Sequence, residues 1–214
     1  MAAAIPQGHG PILEIGSGAG FLAQYVPGLI TSDSFHGPRV RLVLEAQRLP
    51  FRNAAFGGIA MTNVLHHIPD PRGFFADAAR CVRPGGVVVM IEPWVTKWSR
   101  VVYSRLHHEP FEPDAAEWEF AQTGPLSGAN GALPWIVFER DRARFERDFP
   151  AWRVATVRPF MPLRYLLSGG VSMRSLMPGW SFGFWRACER AMAPLMDQCG
   201  MFALIVLQKE SVAR

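Results

Sequence analysis

The chain has 214 residues with a formal net charge of +4, and 49% of its residues are apolar while 19% are charged. This length suits one α/β domain, and the composition excludes a disordered chain because it supplies enough apolar side chains for a core. The positive charges are scattered arginines rather than a dense basic run, so charge alone does not indicate a nucleic-acid partner.

Cysteine usage and hydropathy bear on the cellular compartment. Cys81, Cys188 and Cys199 form no CxxC pair, which gives no sign of a zinc knuckle or a disulfide framework. No apolar run approaches the roughly 18 uncharged residues of a membrane span, and the N-terminus lacks the basic and apolar regions of a signal peptide. We therefore expect a reduced, cytoplasmic protein.

Short apolar runs alternate with helical or turn segments in the first half of the chain, which is typical of a parallel sheet covered by helices. The helical spacing of Phe74, Phe75, Ala78 and Cys81 predicts the clearest of the helices. The predicted strands are 12–15, 29–32, 40–44, 58–62, 87–91, 152–157 and 201–208, and the predicted helices are 21–25, 72–81, 139–148 and 184–198.

The link between the second and third predicted strands is unusually short. Residues 34–39 are fewer than the dozen that a helical crossover between parallel strands needs, so we predict a bare loop. After Pro93 the character of the chain changes, and all seven tryptophans lie in this second part. Residues 94–137 and 158–183 show no regular pattern, and such long stretches in a compact domain are either functional lids or misread elements.

The most informative segment is an apolar strand that enters a glycine-rich turn, with the sequence LEIGSGAGF at residues 13–21. Glycine lets the backbone turn sharply there and lets a ligand approach closely. A dinucleotide fingerprint would read GxGxxG, but Phe21 stands where its third glycine would be, so the spacing is GxGxG. This spacing disfavours a nicotinamide cofactor.

With this motif the chain resembles the class I S-adenosylmethionine-dependent methyltransferases, and in particular the type 11 methyltransferase family, over about residues 12–93. The resemblance implies that the glycine loop carries the methionine end of S-adenosylmethionine. It also implies that Glu14 helps to hold the amino group of the cofactor. The loop positions concerned are Gly16, Ser17, Gly18 and Gly20.

Three further segments match the family in the same order. Asp33 ends the second predicted strand 19 residues after Glu14, near the offset of about 20 at which an acidic side chain meets ribose hydroxyls. By resemblance, Asp33 binds the ribose, and Glu45 with Ala46 reads the adenine amino edge. The stretch FGGIAMTNVLHHIP at residues 56–69 resembles the fourth-strand signature that lines the sulfonium. The residues placed there are Asn63, Val64 and His67.

The resemblance implies an α/β fold with a Rossmann-like, mostly parallel seven-stranded sheet, helices on both faces and an antiparallel last strand. We expect one domain over 1–214, with a cofactor core at 12–93 and aromatic cap insertions after the fifth and sixth strands, at 94–137 and 158–200. The family also has a helix between the second and third strands and helices before the first, where this sequence has only residues 1–11. Weaker cofactor binding and an N-terminally shortened sequence are both open explanations.

Methyl transfer from a sulfonium is a direct displacement, so a base is needed only when the acceptor must lose a proton. The candidates for a catalytic base are His107, His108 and Glu109, in the insertion after the fifth strand. The alternative that these are solvated surface residues stays open. Their adjacent spacing does not match a helical HxxxH pair, so we expect no metal.

The aromatic residues of the two insertions favour a small, apolar or lipid-like acceptor, since ligands bind beyond the carboxyl ends of the strands in such sheets. A second core built by the same rings is the alternative. These rings are Trp94, Trp98, Tyr103, Phe111, Trp118, Phe120, Trp135, Tyr165, Trp180 and Phe182. A related hypothesis is peripheral membrane contact through Trp180, Phe184, Trp185 and Met192 with Arg186 and Arg190.

Nucleic-acid methylation is disfavoured by two details. Asn63 is followed by Val-Leu-His rather than by Pro-Pro and an aromatic residue, and Cys81 lies on a predicted helix away from the site. Two functions stay open. One is methyl transfer to a small molecule, and the other is a non-catalytic sensor or assembly partner that binds S-adenosylmethionine.

Overall fold

One seven-stranded sheet organises the computed structural model, which describes residues 1–6, 8, 10–121, 128–170 and 174–211. The strand order is β3-β2-β1-β4-β5-β7-β6. Strand β7 is antiparallel to both neighbours, and the other pairs are parallel. The predicted sheet is thus confirmed. Its strands are β1 (Ile12–Ile15), β2 (Ile30–Asp33), β3 (Leu42–Val43), β4 (Phe56–Thr62), β5 (Val82–Pro93), β6 (Trp152–Phe160) and β7 (Phe202–Lys209).

The helices differ from the prediction mainly after β5. The predicted helix at 72–81 is confirmed as α1 (Pro71–Cys81), which begins where the Asp70 side chain accepts a hydrogen bond from Gly73 N at 2.8 Å. The interpretation of 94–137 as irregular was wrong, because it contains α2 (Lys97–Leu106). Thr96 and Ser99 cap that helix reciprocally.

The remaining helical segments are short. The predicted helix at 139–148 begins earlier, as a helical turn and a π-turn, and the one at 184–198 is broken near Pro194, whose ring and missing N–H do not suit a helix interior. These segments are α3 (Leu133–Trp135), the π-turn Ile136–Arg140, α4 (Arg142–Asp148), α5 (Arg164–Leu167), α6 (Phe182–Ala191), the 3-10 turn Ala193–Leu195 and α7 (Met196–Cys199).

One face of the sheet, which we call the helix-covered face, packs against α1 and α4. Leu13 and Ile15 of β1 and Ile59 and Met61 of β4 belong to its core. Large rings fill the space between these strands and the helices, and several of them pack edge to face. They are Phe74, Phe75, Phe138, Phe145, Trp118 and Trp152.

The other face, which we call the thin face, has little cover over β1, β2 and β4. Its core includes Ile12, Ala60 and Val89, and two 3-10 turns, Ala2–Ala4 and Leu22–Gln24, supply most of the packing there. The second turn stands where a helix was predicted at 21–25. Helices α2 and α5 pack on the same side near β7, so the prediction of helices on both faces is confirmed.

The carboxyl ends of the parallel strands lie at one edge of the sheet, where ligands bind in open α/β folds. No helix occupies 34–41 between β2 and β3, which confirms the predicted bare loop. Within the residues described, no helix is both long and apolar enough to cross a membrane.

Candidate functional site

The glycine loop after β1 is held in a conformation that only glycine adopts readily. Gly16, Gly18 and Gly20 have φ values of +68°, +48° and +69°. A Cβ atom on Gly16 would lie 2.3 Å from Val64 Cγ2, so no larger residue fits there. The loop after β1 and the segment after β4 are therefore in direct contact, as a shared cofactor site requires.

Glu14 is buried in β1 with one oxygen unsatisfied. Among the residues that the structure describes, its Oε2 atom has no hydrogen-bond partner. Burial raises the pKa of this carboxyl group. A buried acceptor without a partner is costly, and a ligand ammonium group would satisfy it. The orphaned oxygen beside a glycine cradle thus fits the amino-acid end of S-adenosylmethionine.

The predicted ribose and adenine residues follow the same edge of the sheet. Asp33 Oδ2 accepts a hydrogen bond from Gly18 N at 2.9 Å, so this carboxylate contacts the glycine loop directly. Asp33 pairs with Val43 in the β2–β3 register, two residues before Glu45. Glu45 is exposed and Ala46 is half-buried, while Ser17 Oγ accepts a hydrogen bond from Ser32 N and fixes the loop on β2.

A cavity of about 130 Å³ opens next to Asn63, at the carboxyl end of β4. Its lining combines histidines and a glutamate with aromatic rings. Its lining residues are Asn63, His66, His67, Pro93, Tyr103, His107, Glu109, Pro110, Phe111, Gly131, Tyr165 and Phe202. We call this cavity the acceptor pocket.

His66 is fixed in the floor of the acceptor pocket by a buried carboxylate. Its Nδ1 atom lies 2.7 Å from Glu92 Oε2, and the Glu92 side chain is 0% exposed. The other oxygen, Glu92 Oε1, accepts hydrogen bonds from Val64 N and Leu65 N, each at 2.9 Å. This arrangement directs His66 Nε2 away from Glu92 and toward Glu109.

Glu109 lies among four imidazole rings, an arrangement that we call the histidine–glutamate cluster. Its carboxylate oxygens are 3.7 Å from His66 Nε2 and 3.7 Å from His67 Nε2. They are 3.8 Å from His107 Nδ1 and 3.9 Å from His108 Nε2. These four distances exceed a hydrogen bond, so the contacts are electrostatic.

The charges of the cluster are strongly coupled. Burial opposes protonation of His66, but its interactions with Glu109 and Glu92 outweigh it and raise the pKa of His66 to about 9. The interaction with His66 lowers the pKa of Glu109 to about 2 despite its partial burial. Burial lowers the pKa of His67 and of His107. At neutral pH the cluster thus combines a cationic His66 with an anionic Glu109.

The two histidines predicted as catalytic are placed differently. His107 lines the acceptor pocket, but its Nδ1 accepts a hydrogen bond from Glu109 N at 3.1 Å and its Nε2 is 3.5 Å from Tyr165 Oη. Both ring nitrogens of His107 therefore have a polar neighbour within the protein. His108 is 70% exposed, stacks on His107 and does not line the pocket.

Sequence reasoning missed His66 and Glu92 as site residues. A signal for Glu92 was available, because it is a charged residue within the apolar strand VVVMIEP and such residues are rarely buried without a partner. The contact of His66 with Glu109 had no sequence signal, since 43 residues separate them. Only the fold brings the two segments together.

Most of the rings predicted for the substrate cap lie elsewhere. Trp94 and Trp118 are buried in the core of the helix-covered face, and the Trp118 indole donates a hydrogen bond to Asp141. Of the ten rings proposed, only Tyr103, Phe111 and Tyr165 line the acceptor pocket. Much of the aromatic inventory therefore serves packing, which was the alternative interpretation.

Sequence comparison finds a family match for the part of the chain that contains the glycine loop. A family model described as "Methyltransferase domain" matches residues 13–90, which contain the glycine loop, Asp33, Glu45 and Asn63. This part of the chain thus matches a methyltransferase domain, and the sheet order is that of the Rossmann-like methyltransferase fold. A search of curated proteins found no significant match.

Solved structures of low sequence identity share the fold. An S-adenosylmethionine-dependent methyltransferase from Methanosarcina mazei is 16% identical, with a TM-score of 0.53 and coverage of 98% of this chain and 96% of that chain. One from Mesorhizobium loti is 13% identical, with a TM-score of 0.53 and coverage of 97% and 94%. Geranyl diphosphate C-methyltransferase from Streptomyces coelicolor, in complex with Mg²⁺, geranyl diphosphate and S-adenosylhomocysteine, is 13% identical, with a TM-score of 0.53 and coverage of 94% and 73%.

Proposed function

We propose that the chain methylates a small molecule that binds in the acceptor pocket with a polar reacting group and an apolar body. The observation that carries this proposal is the position of the pocket. It adjoins Asn63, in the segment that resembles the family's sulfonium-lining signature. Its lining offers both histidines with Glu109 and the rings of Tyr103, Phe111 and Phe202.

The cofactor roles proposed for the individual residues follow from the contacts described above. When bound, S-adenosylmethionine supplies a methyl group made electrophilic by its sulfonium. Glu14 binds the ammonium group through its unsatisfied oxygen, and the backbone of the glycine loop carries the methionine end. Asp33 binds the ribose while it holds the loop through Gly18 N. Glu45 and Ala46 border the adenine, and Val64 and His67 complete the wall beside the sulfonium.

The acceptor is held by the polar floor of the pocket. A displacement reaction requires the nucleophile to be aligned with the methyl group and water to be excluded. His66 and Glu109 supply a donor and an acceptor for one hydroxyl or amino group, which sets its direction. A pocket of about 130 Å³ accommodates the reacting end of the acceptor rather than a large molecule. The remaining body would lie along the aromatic wall.

We further propose that 12–93 form the cofactor core, and that 94–137 and 158–200 supply the acceptor side. His107, Glu109 and Phe111 from the first insertion and Tyr165 from the second line the pocket, which supports this division. Parts of both insertions, residues 122–127 and 171–173, lie outside the described residues.

Peripheral membrane contact remains part of the proposal because of the surface around α6. Trp180 is 87% exposed and Phe184 is 62% exposed, and Arg186 and Arg190 are exposed on the same helical segment. Exposed rings beside arginines suit an anionic lipid surface. We expect the chain to sediment with anionic vesicles. Weaker sedimentation of W180S, with no change in H36A of the 34–41 loop, would support the proposal. Equal sedimentation of the two variants would count against it.

Two experiments test the methyltransferase proposal in sequence. Isothermal titration with S-adenosylmethionine and S-adenosylhomocysteine should give saturable binding that is lost in G16A, where the added Cβ meets Val64. Small-molecule extracts incubated with methyl-labelled cofactor should then yield a labelled product, detected by mass spectrometry. Binding without any labelled small molecule would instead favour the non-catalytic alternative, and absence of binding would exclude both.

A further inference from the structure

The histidine–glutamate cluster contains three side chains whose ligand atoms converge. One potential ligand atom from each of His66, His67 and Glu109 lies within 4.8 Å of the other two. The Nε2 atoms of His66 and His67 approach different oxygens of Glu109, Oε2 and Oε1. The two histidine-to-carboxylate distances of 3.7 Å are too long for hydrogen bonds. Two ligands of a tetrahedral zinc ion stand about 3.4 Å apart, since each bond is about 2.0–2.1 Å long. We propose that these three residues bind a divalent transition-metal ion at the acceptor pocket, which all three of them line.

The environment of His66 is that of a supported metal ligand. Metal-binding histidines usually donate their second ring N–H to a carboxylate, which fixes the tautomer and directs the other nitrogen at the metal. Glu92 Oε2, 2.7 Å from His66 Nδ1, is placed to accept that hydrogen bond. Glu92 is itself fixed by two backbone amides, so the ring has little freedom to turn away.

The charge balance also favours a bound cation. Among the residues described by the structure, Glu92 forms an ion pair only with His66, and Glu109 forms ion pairs only with histidines. No lysine or arginine of the described part of the chain pairs with either carboxylate. A divalent ion between Glu109 and two neutral imidazoles would neutralise both carboxylates, whereas protons on the histidines are the alternative.

The ligand set indicates the chemical class of the ion. Two imidazoles and one carboxylate suit Zn²⁺, Co²⁺ or Fe²⁺ rather than Mg²⁺ or Ca²⁺, which prefer oxygen ligands. Three protein ligands leave a coordination position open, as in catalytic rather than structural zinc sites. That position faces the acceptor pocket.

This open position gives the metal a role that rests on the proposed function. With the ion bound, an acceptor hydroxyl would coordinate it in place of hydrogen bonds to His66 and Glu109. Its proton would pass more readily to solvent water, because the metal stabilises the alkoxide. The oxygen lone pair then attacks the methyl carbon, the carbon–sulfur bond breaks, and its electrons return to sulfur. Tyr165 and His107, at the pocket rim, would position the body of the acceptor. The expectation from sequence spacing that the chain has no metal is replaced by this proposal.

The test is a titration of the metal-stripped full-length chain with Co²⁺, without cofactor or acceptor. One equivalent should bind, with visible ligand-field bands of a low-coordinate site, and Zn²⁺ should displace it. H67A and E109Q should each weaken Co²⁺ binding by at least about tenfold. E92Q, which alters the carboxylate that supports His66 but none of the three ligands, should weaken it by about 10- to 100-fold. The matched control H36A removes an exposed histidine of the 34–41 loop and should bind like the wild type.

Circular dichroism of each variant separates loss of a ligand from loss of fold. Lack of stoichiometric Co²⁺ binding by the folded wild type, or equal binding by H67A and H36A, would overturn the proposal and leave a proton-held ion-pair cluster. Calorimetric titration of the same preparations with S-adenosylmethionine keeps the two proposals apart. If the cofactor binds but Co²⁺ does not, only the metal proposal is overturned. If Co²⁺ binds but the cofactor does not, only the proposed function is contradicted.

Discussion

The two faces of the central sheet are covered very differently. On the helix-covered face, α1 and α4 press a layer of phenylalanines and tryptophans onto Leu13, Ile59 and Met61. On the thin face, in the part of the chain that the structure describes, two short segments around 3-10 turns, with Ile5, Val26 and Leu29, pack over Ile12 and its neighbours. The same strands supply both faces, so the difference comes from the connections between strands and not from the strands themselves.

The two faces of the sheet therefore contribute differently to folding stability and to the proposed cofactor binding. Burial of apolar area is the main source of folding free energy, so most of it should come from the helix-covered face. Glu14 alternates with Leu13 and Ile15 along β1 and therefore points to the thin face. A carboxylate with an unsatisfied oxygen is tolerated more easily where the cover is thin. The thin face is thus less covered near Glu14, the residue proposed to bind the cofactor.

The largest loss of stability is expected from F75A on the helix-covered face. Phe75 is fully buried and contacts the rings of Phe74, Phe138, Phe145 and Phe149, so truncation leaves a cavity that the neighbours cannot fill. We expect a decrease of about 3–5 kcal/mol in the free energy of unfolding, measured by urea denaturation. A decrease below about 1 kcal/mol would contradict a stability centred on this face.

A matched pair on β1 compares the faces directly. Leu13 and Ile12 are adjacent, nearly equal in size and both buried, but they belong to opposite cores. L13A should cost about 4 kcal/mol and I12A about 2 kcal/mol, because the thin cover can relax around the smaller residue. Urea denaturation of the two variants checks the order. The reverse order would show that the thin face carries more packing energy than its cover suggests.

The binding role of the thin face is tested through Glu14. E14Q should weaken S-adenosylmethionine binding by about tenfold, since a hydrogen bond to a charged group is worth about 1.5–3 kcal/mol. Burial raises the pKa of Glu14, and only the ionised form attracts the ammonium group. Wild-type affinity should therefore fall as the pH is lowered from neutral toward 4.5, the ordinary pKa of a glutamate side chain, while E14Q should change less.

Calorimetry at several pH values measures this effect, with E139Q, a change at an exposed position, as the control. Parallel pH profiles of the wild type and E14Q would contradict the proposal that Glu14 binds the cofactor.

The smallest effect is expected from Y25S beside the thin face. Tyr25 is 72% exposed, so its removal should change the free energy of unfolding by no more than about 0.5 kcal/mol. Thermal denaturation at two protein concentrations checks this. A loss above about 1 kcal/mol that grows with concentration would mean that a second copy covers the thin face in solution.

The residues proposed for the cofactor could be brought together from the sequence because they follow strands in chain order. Glu14, Asp33 and Asn63 each stand at or near a strand end, and parallel strands bring their carboxyl ends together. The spacing of 34–41 likewise excluded a crossover helix. Local pattern and fold agree in this part of the chain.

The acceptor half was not predictable for two physical reasons. Glu109 and Tyr165 were named from the sequence as residues of the insertions, but their contact with His66 and Phe202 arises only through tertiary packing across long stretches of chain. Helix α2 was missed because its start depends on the reciprocal cap of Thr96 and Ser99 rather than on a long apolar period. The tryptophans misled for a related reason, since composition does not distinguish a ring in a core from a ring in a pocket.

Val64 joins the two halves of the site, and this has a consequence for protein engineering. Its side chain contacts Gly16 in the cofactor loop, while its amide binds the carboxylate that fixes His66. Phe111 and Tyr165 also line the acceptor pocket, but they belong to the two insertions and not to the segment after β4. Libraries aimed at new acceptors should therefore vary the wall and keep position 64 constant, because one exchange there would disturb donor and acceptor handling together.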